Sequence, residues 1–188
     1  MTTTDNRQPA TDNRPSVATV WLDGCSGCHM SFLDMDERLL ELAGKMNLVY
    51  SPLVDRKDFP EQVDVTLVEG AVSSEEDLHK IHTVREHTRV LVSLGDCAVT
   101  ANVPGMRNVF GVAAVTARAY YENVTLHPKV PDQVVPKLLD RVRPVHDVVP
   151  VDIYVPGCPP SADTIYYVVS ELLAGRLPDV TGRTRFGA

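Results

Sequence analysis

The sequence predicts a single α/β domain in which helices cover both faces of a doubly wound parallel sheet. Runs rich in Val, Leu and Ile alternate along the chain with segments whose apolar residues recur at helical spacing. These runs are almost continuously apolar, as is typical of parallel strands that are buried on both faces. A chain of 188 residues, of which 44% are hydrophobic, is the size of one domain with its own core.

Five strands are predicted from apolar runs that are bounded by turn-forming residues. The first extends from Ser16 to Leu22 and is followed by Asp-Gly, and the fourth ends at Gly95. In chain order, the runs are "SVATVWL", "NLVYSPLV", "VDVTLVEG", "RVLVSLGDCA" and "VDIYVPGCPPS".

Two helices are predicted in the first half of the chain. The segment "SFLDMDERLLELAG" has apolar residues at helical spacing, with Ser31 and Asp34 as a capping pair and Gly44 as the stop signal. The segment "VSSEEDLHKIHTVREHT" contains a helix that begins with Ser74 and Asp77 as its cap.

The second half is predicted to contain a weak helix and a strong one. The weak helix lies in "VPDQVVPKLLDRV", where Pro136 interrupts it. The strong helix begins at Ser161 and ends near Gly175. Between the fourth strand and the weak helix, residues 102–129 are the least regular part, and we expect an excursion over the surface.

The domain is predicted to span residues 17–175, between a disordered polar tail at residues 1–16 and a C-terminal extension at residues 176–188. The tail has neither the apolar stretch nor the twin arginine of an export signal, which predicts a cytoplasmic chain. No apolar run approaches the roughly 20 residues of a transmembrane helix. The net charge of −7 argues against a nucleic-acid surface.

The four cysteines each follow a predicted strand. Cys25 and Cys28 lie in "WLDGCSGCHMSF" after the first strand, Cys97 follows the fourth strand and Cys158 follows the fifth. Parallel strands have their carboxyl ends at one edge of the sheet, where ligand sites of such folds are found. We therefore expect the four thiols to converge on one centre.

The chemistry of this centre is predicted from its ligands. Cysteines of a chain kept among reduced thiols are metal ligands more often than disulfides, and four thiolates suit either zinc or a cubane iron–sulfur cluster. One C-x-x-C pair with two single cysteines, in a domain with its own core, favours a [4Fe–4S] cluster. Two alternatives stay open, a zinc-stabilised structural module and unligated buried thiols. The C-x-x-C-H pattern also suits c-type haem, but its attachment normally occurs outside the cytoplasm. His29 is therefore predicted to be a local hydrogen-bonding residue.

Other residues at the same sheet edge are candidates for the surroundings of the cluster. Glu69 ends the third strand, where it is predicted either to accept protons and order the site or to be an ordinary solvated carboxylate. Asp96 is predicted to cap the following turn. Glycines allow close approach of the backbone and direct N–H groups at cluster sulfurs, and the candidates are Gly24, Gly27, Gly95 and Gly157.

The motifs "WLDGCSGCHMSF", "VEGAV", "SLGDCA" and "PGCPPS", in this order, resemble the small subunit of cytoplasmic [NiFe] hydrogenases of the soluble, NAD-reducing, bidirectional type. The resemblance extends from about Val17 to Leu173. It implies a flavodoxin-like fold and assigns the four ligands of the cluster proximal to the nickel–iron site to Cys25, Cys28, Cys97 and Cys158. It also implies two kinds of partner, a large subunit that holds nickel and iron and diaphorase subunits that carry FMN and iron–sulfur clusters.

The differences from related subunits refine this expectation. Exported hydrogenase small subunits have a signal and additional cysteines for further clusters, so this chain is expected to hold one cluster only. A related subunit of respiratory complex I shares "PGCPP" but has its first two cysteines adjacent, whereas Ser26 and Gly27 separate them here. That subunit remains the alternative. FMN in this chain is not indicated, since the cysteine pair occupies the loop that would bind its phosphate.

The expected function is therefore electron transfer between the nickel–iron site and an NAD-reducing diaphorase. The chain contains no set of residues able to split H₂ and no G-x-G-x-x-G fingerprint, so it is not expected to be catalytic alone. Four apolar residues after the cysteine pair are predicted to include contacts with a partner, although core packing is the alternative for the second and fourth of them: Met30, Phe32, Leu33 and Met35.

Overall fold

A computed structural model describes residues 13–184 of the chain. Most of the predicted N-terminal tail, residues 1–12, and residues 185–188 of the predicted extension lie outside the described residues. The strands are β1 (Ser16–Trp21), β2 (Asn47–Tyr50), β3 (Val63–Glu69), β4 (Val72–Ser74), β5 (Thr88–Leu94), β6 (Leu138–Arg143) and β7 (Ile153–Val155). The α-helices are α1 (Gly27–Leu33), α2 (Arg38–Ala43), α3 (Glu75–Glu86), α4 (Gly95–Thr100), α5 (Asn102–Gly105), α6 (Val112–Ala117) and α7 (Ala162–Leu173).

The main sheet has five strands in the order β2-β1-β3-β5-β7, and every neighbouring pair is parallel. This confirms the predicted α/β class and all five predicted strands. The order is that of flavodoxin-like folds, in which the connection reverses direction between β1 and β3. The crevice at this switch point, outside the carboxyl ends of the strands, is where such folds bind ligands.

Helices bury both faces of the sheet, as predicted. On one face, Leu67 of β3 packs in a cluster with Ile165 and Val168 of α7. On the other face, the next strand residue, Val68, packs in a cluster with Ile81 of α3. Adjacent residues of one strand are thus buried in different clusters, which explains why the strands are continuously apolar in sequence.

The first predicted helix is two short helices, and its predicted capping pair is wrong. Asp36 adopts a left-handed conformation (φ 51°) between α1 and α2, which interrupts the helical path. Ser31 lies inside α1, where its hydroxyl donates to the Pro160 carbonyl at 2.6 Å, and Asp34 is at the end of that helix. The predicted stop at Gly44 is confirmed, because it caps α2.

The caps of the two long helices are confirmed. Ser74 and Asp77 form a reciprocal capping box at α3, in which the Asp77 N–H donates to Ser74 Oγ at 3.1 Å and the Asp77 carboxylate accepts from the Ser74 N–H at 3.0 Å. Ser161 Oγ accepts the Thr164 N–H at 3.2 Å and begins α7. The chain leaves this helix through Gly175 in a left-handed conformation, as its sequence position predicted.

The weak helix predicted around Pro136 is wrong. Its last part forms β6, which pairs with β4 as a separate two-stranded antiparallel sheet. Proline lacks an N–H and disfavours a helical residue before it, so the segment pairs with a neighbouring strand instead. The three residues of β4 were too few to predict as a strand.

The predicted surface excursion is more regular than expected. It contains α5, a 3₁₀ helix at Met106–Val109, α6 and a π-helical turn at Arg118–Glu122. It is attached to the small sheet, because Arg107 donates to the Ser73 and Leu139 carbonyls.

The remaining predictions concern the two ends of the domain and the absence of a transmembrane helix. Arg183 of the predicted extension lies over the Tyr167 ring of α7, with the guanidinium carbon 4.0 Å from the ring centre. The division at residues 16 and 175 stays a prediction. None of the helices in residues 13–184 has the length and apolar character of a membrane span.

Candidate metal centre

The four cysteines lie around one cavity of about 80 Å³ at the carboxyl edge of the main sheet. Cys25 and Cys158 are exposed, whereas Cys28 and Cys97 are half-buried. The convergence expected from the strand order is therefore present, although the role of these residues as ligands is a separate prediction. Among residues 13–184, no group of three or more His, Cys, Asp or Glu side chains is placed so that it could hold a metal ion.

The cysteine pair is positioned by a tight turn after β1. Ser26 has a left-handed conformation (φ 61°), and α1 begins directly after it. Cys25 thus lies in the turn, while Cys28 lies in the first turn of the helix. The Gly27 N–H donates to Cys25 Sγ at 3.4 Å, as predicted for a glycine beside a cluster ligand.

The loops of the two single cysteines are joined by a reciprocal pair of hydrogen bonds. The Gly157 N–H donates to Asp96 Oδ1 at 2.7 Å, and the Asp96 N–H donates to the Gly157 carbonyl at 2.9 Å. Asp96 is buried, and its capping role stays a prediction. The Gly157 N–H bonds to the Asp96 carboxylate and not to a sulfur, so the predicted direction of this N–H is wrong. The two bonds connect the segments that carry Cys97 and Cys158.

Three glycines allow close contacts in the segments around the thiols. Gly95 has φ +82°, and a Cβ atom there would collide with Cys28 Sγ. A Cβ on Gly157 (φ +141°) would lie 2.7 Å from Pro160 Cα, and one on Gly24 would lie 3.3 Å from Gly70 Cα. Only glycine satisfies both the backbone angle and the contact at Gly95, so this residue determines where the Cys28 thiol lies.

Glu69 is a buried carboxylate beside the cysteines, not the solvated one that the alternative prediction described. Its side chain is 2% exposed and lines the cavity. Glu69 Oε2 accepts the main-chain N–H of His29 at 2.6 Å, and His29 Nδ1 lies 2.8 Å from the same oxygen, off the line of a hydrogen bond. The carboxylate therefore contacts the helix that carries Cys28.

His29 continues these contacts into the sheet, which confirms that it is a local hydrogen-bonding residue. Its Nε2 lies 2.9 Å from Thr19 Oγ1 in β1, and that hydroxyl donates to Ser51 Oγ at 2.8 Å. All of these groups are buried. Thr19 lies within β1 and Ser51 directly follows β2. The sequence does not single them out, because nothing local distinguishes them from other hydroxyl residues.

Burial of the inner thiols disfavours their ionised form. It raises the pKa of Cys28 far above its usual range, with a further contribution from the Glu69 carboxylate. Burial also raises the pKa of Cys97 to about 11, although the Val103 N–H bonds to this thiol and acts in the opposite direction. Several potential anions share one small cavity, and only a cationic centre between them makes their joint ionisation favourable.

The chain matches a known family and has relatives of known type. Residues 25–172 match the family described as NADH ubiquinone oxidoreductase, 20 Kd subunit. The NAD-reducing hydrogenase HoxS subunit delta of Cupriavidus necator is 44% identical over 172 residues, which cover 88% of this chain and 81% of the relative. A subunit of the F420-non-reducing hydrogenase vhu of Methanocaldococcus jannaschii is 37% identical, and the match covers 86% of this chain but 57% of that protein.

A solved structure has the same fold. In a crystal structure of NAD⁺-reducing [NiFe]-hydrogenase in the H₂-reduced state, a chain that is 37% identical superimposes with a TM-score of 0.87. The match covers 92% of this chain and 99% of that chain.

The chain belongs to the family of the NADH ubiquinone oxidoreductase 20 kDa subunit, and it is thus a subunit of an oxidoreductase. Within this family it belongs with the small subunits of NAD-reducing [NiFe] hydrogenases. The predicted resemblance is confirmed.

In the metal-free chain, we expect an alkylating reagent to modify Cys97 about 100-fold more slowly than an ordinary thiol near neutral pH. A rise in pKa from 9.0 to about 11 lowers the thiolate fraction by about that factor. The rate should increase as the pH approaches 11, since thiolate then forms. Timed alkylation followed by mass spectrometry of the peptides measures this, with the exposed Cys158 as internal control. Equal rates for the two thiols would contradict the prediction.

Proposed function

We propose that this chain is the electron-transfer subunit of a soluble, cytoplasmic hydrogenase. It holds one [4Fe–4S] cluster on Cys25, Cys28, Cys97 and Cys158 and relays electrons between the nickel–iron site of a large subunit and an NAD-reducing diaphorase with FMN and iron–sulfur clusters. The observation that carries this proposal is the ring of four thiols around one cavity, on the segments that directly follow three strands of the parallel sheet. The bound cluster would supply one-electron transfer.

The donor set and the cavity support a cluster over zinc. Four soft thiolates suit both, but a structural zinc ion brings its four ligands to one point, usually to order a small module. Here the thiols line a cavity of about 80 Å³, in a domain whose two apolar clusters provide a core without any metal. This arrangement favours a larger, multi-atom centre.

The residues around the thiols have separate tasks in this proposal. The Gly27 N–H donates to a ligand sulfur and thereby stabilises negative charge on it. Gly95 leaves space for the Cys28 thiol, while Gly24 and Gly157 allow close approach of the backbone to Gly70 and Pro160. Glu69 lines the cavity and is bonded to the first turns of α1, so it orients the segment that carries Cys28.

The position of the centre supports a relay between two partners. Cys25 and Cys158 are exposed, so the centre lies at the surface, where a docked partner comes within range of electron transfer. Two residues of α1 next to this edge are available for contact, because Met30 is 57% and Leu33 is 38% exposed. For Phe32 and Met35 the alternative of core packing holds, since both are buried in the domain's own core.

The relatives favour a hydrogenase over the complex I alternative. The family includes the 20 kDa subunit of NADH ubiquinone oxidoreductase, yet the curated relative at 44% identity and the structure at 37% identity are NAD-reducing hydrogenases. The separation of Cys25 from Cys28 by two residues agrees with this assignment. Because the electron acceptor is determined by partner chains, the diaphorase is the part of the proposal that rests most on these relatives.

We expect the anaerobically purified protein to contain about four irons and about four sulfides per chain, with broad visible absorption. Replacing Cys97 by Ser should lower the iron content and abolish electron transfer, because a hydroxyl is a harder and poorly ionised ligand. Iron, sulfide and zinc analysis of both proteins provides the measurement, with Ser93→Ala on the preceding strand as a control that keeps the cluster. One zinc and a colourless sample would instead indicate a structural module.

Gly95→Ala is expected to reduce cluster content strongly, because the added Cβ collides with Cys28 Sγ. Gly175→Ala is the matched control. It also has a left-handed backbone (φ +73°) but open space around it, so it imposes the same backbone strain without touching a thiol. Iron content and circular dichroism of both variants are compared. Equal iron content in the two variants would contradict the steric role of Gly95.

Met30→Glu is expected to weaken association with the partner that covers the cysteine edge by about tenfold or more, since an interface disfavours a buried unpaired charge. Leu177→Glu is the control, because this exposed residue follows the end of α7 that points away from the cysteine edge. Co-purification from cells is the measurement, with identification of the bound proteins. A nickel-binding large subunit and a diaphorase should be recovered; quinone-reactive membrane proteins would indicate the complex I alternative.

A further inference from the structure

We infer that Asn102 sets the reduction potential of the centre by donating a side-chain hydrogen bond to the sulfur of Cys158. Asn102 Nδ2 lies 3.5 Å from Cys158 Sγ, within the range of a hydrogen bond to sulfur. This inference rests on the proposed function, since it concerns the cluster that the four cysteines hold. It gives a role to Asn102, which lies outside the sequence motifs around the cysteines.

The local backbone directs Asn102 at this sulfur. α4 carries Cys97 and ends at Ala101, which is buried and has a left-handed conformation (φ 63°). This conformation is uncommon for alanine, and the Ala101 N–H donates to the Cys97 carbonyl at 3.0 Å across the turn. The chain therefore reverses within a single residue, and α5 begins next to the cavity instead of continuing away from it.

Two consecutive residues after this turn bond to two different thiols. Asn102 donates from its side chain to Cys158, and Val103 donates from its main-chain N–H to Cys97. The two cysteines follow different strands, so one short segment links them at the sulfur atoms. The Val103 donor belongs to the backbone and survives side-chain substitution, whereas the Asn102 donor is removed by a single substitution.

A hydrogen bond to a ligand sulfur has a defined electrostatic effect. Reduction of the cluster adds one electron, and part of the added negative charge is carried by the thiolate sulfurs. A donor N–H stabilises the reduced form more than the oxidised form, so it raises the reduction potential. The amide of asparagine supplies this donor without a formal charge. Removal of the donor must therefore shift the potential to a more negative value.

The test uses the purified complex and four proteins: the native chain, Asn102→Leu, Asn102→Gln and Asn108→Leu. Leucine resembles asparagine in size but has no donor, while glutamine keeps the amide. Asn108 is the matched control from the same segment, because its side chain bonds to both main-chain groups of Val142 and has no described contact with a thiol. Redox titration followed by EPR measures the potential, and iron analysis verifies that the cluster is intact.

We expect a negative shift of the potential in Asn102→Leu, a smaller shift in Asn102→Gln, and the native value in Asn108→Leu. An unchanged potential in Asn102→Leu, with an intact cluster, would overturn the assignment. An equal shift in Asn108→Leu would also overturn it, because the effect would then come from general disturbance of the segment.

If Asn102→Leu loses its cluster, a measurement on the native chain tests the hydrogen bond instead. Pulsed EPR of protein labelled with ¹⁵N-asparagine is expected to detect coupling between the reduced cluster and the Asn102 side-chain nitrogen. Absence of such a coupling overturns the role of Asn102. The native EPR signal itself tests the proposed cluster, so the failure of the proposed function and the failure of this inference give different results.

Discussion

The candidate site depends on one constraint, the register that aligns the carboxyl ends of four parallel strands. Trp21, Glu69, Leu94 and Val155 are register partners across β1, β3, β5 and β7. The segments that follow β1, β5 and β7 carry all four cysteines, and β3 ends in the buried carboxylate of Glu69. A shift of one residue in any pair would move a thiol away from the others and would also exchange the faces that its strand buries.

The same convergence creates an electrostatic conflict. Four thiols and the Glu69 carboxylate line one cavity, where burial, followed by the neighbouring acidic groups, raises the pKa of Cys28 and Cys97. In the proposed function, the positive charge of the bound cluster would balance the thiolates. The surrounding bonds, from Asp96 to Gly157 and from Glu69 to the backbone of His29, keep the loops in place without adding ligands.

Single short segments contribute residues both to the core and to the exposed surface beside the cysteines. In α1, Phe32 is buried under α7 while Met30 and Leu33 are exposed next to the cysteines. After α4, the half-buried Asn102 donates to a thiol while Val103 and Met106 are exposed. The same segments therefore position the centre and present apolar surface beside it. In the proposed complex, a partner that covers this surface also shields the centre from water.

The sequence by itself determined the fold class, the five parallel strands and the convergence of Cys25, Cys28, Cys97 and Cys158. These follow from local patterns, since apolar runs define strands and a parallel sheet places all their carboxyl ends on one side. Only the tertiary structure decided the rest. The antiparallel pairing of β6 with β4, the bond from Gly157 to Asp96 and the bond from Asn102 to Cys158 all join residues far apart in the chain. Their energies depend on distances that no local pattern encodes, so the sequence pattern predicted a helix where β6 forms.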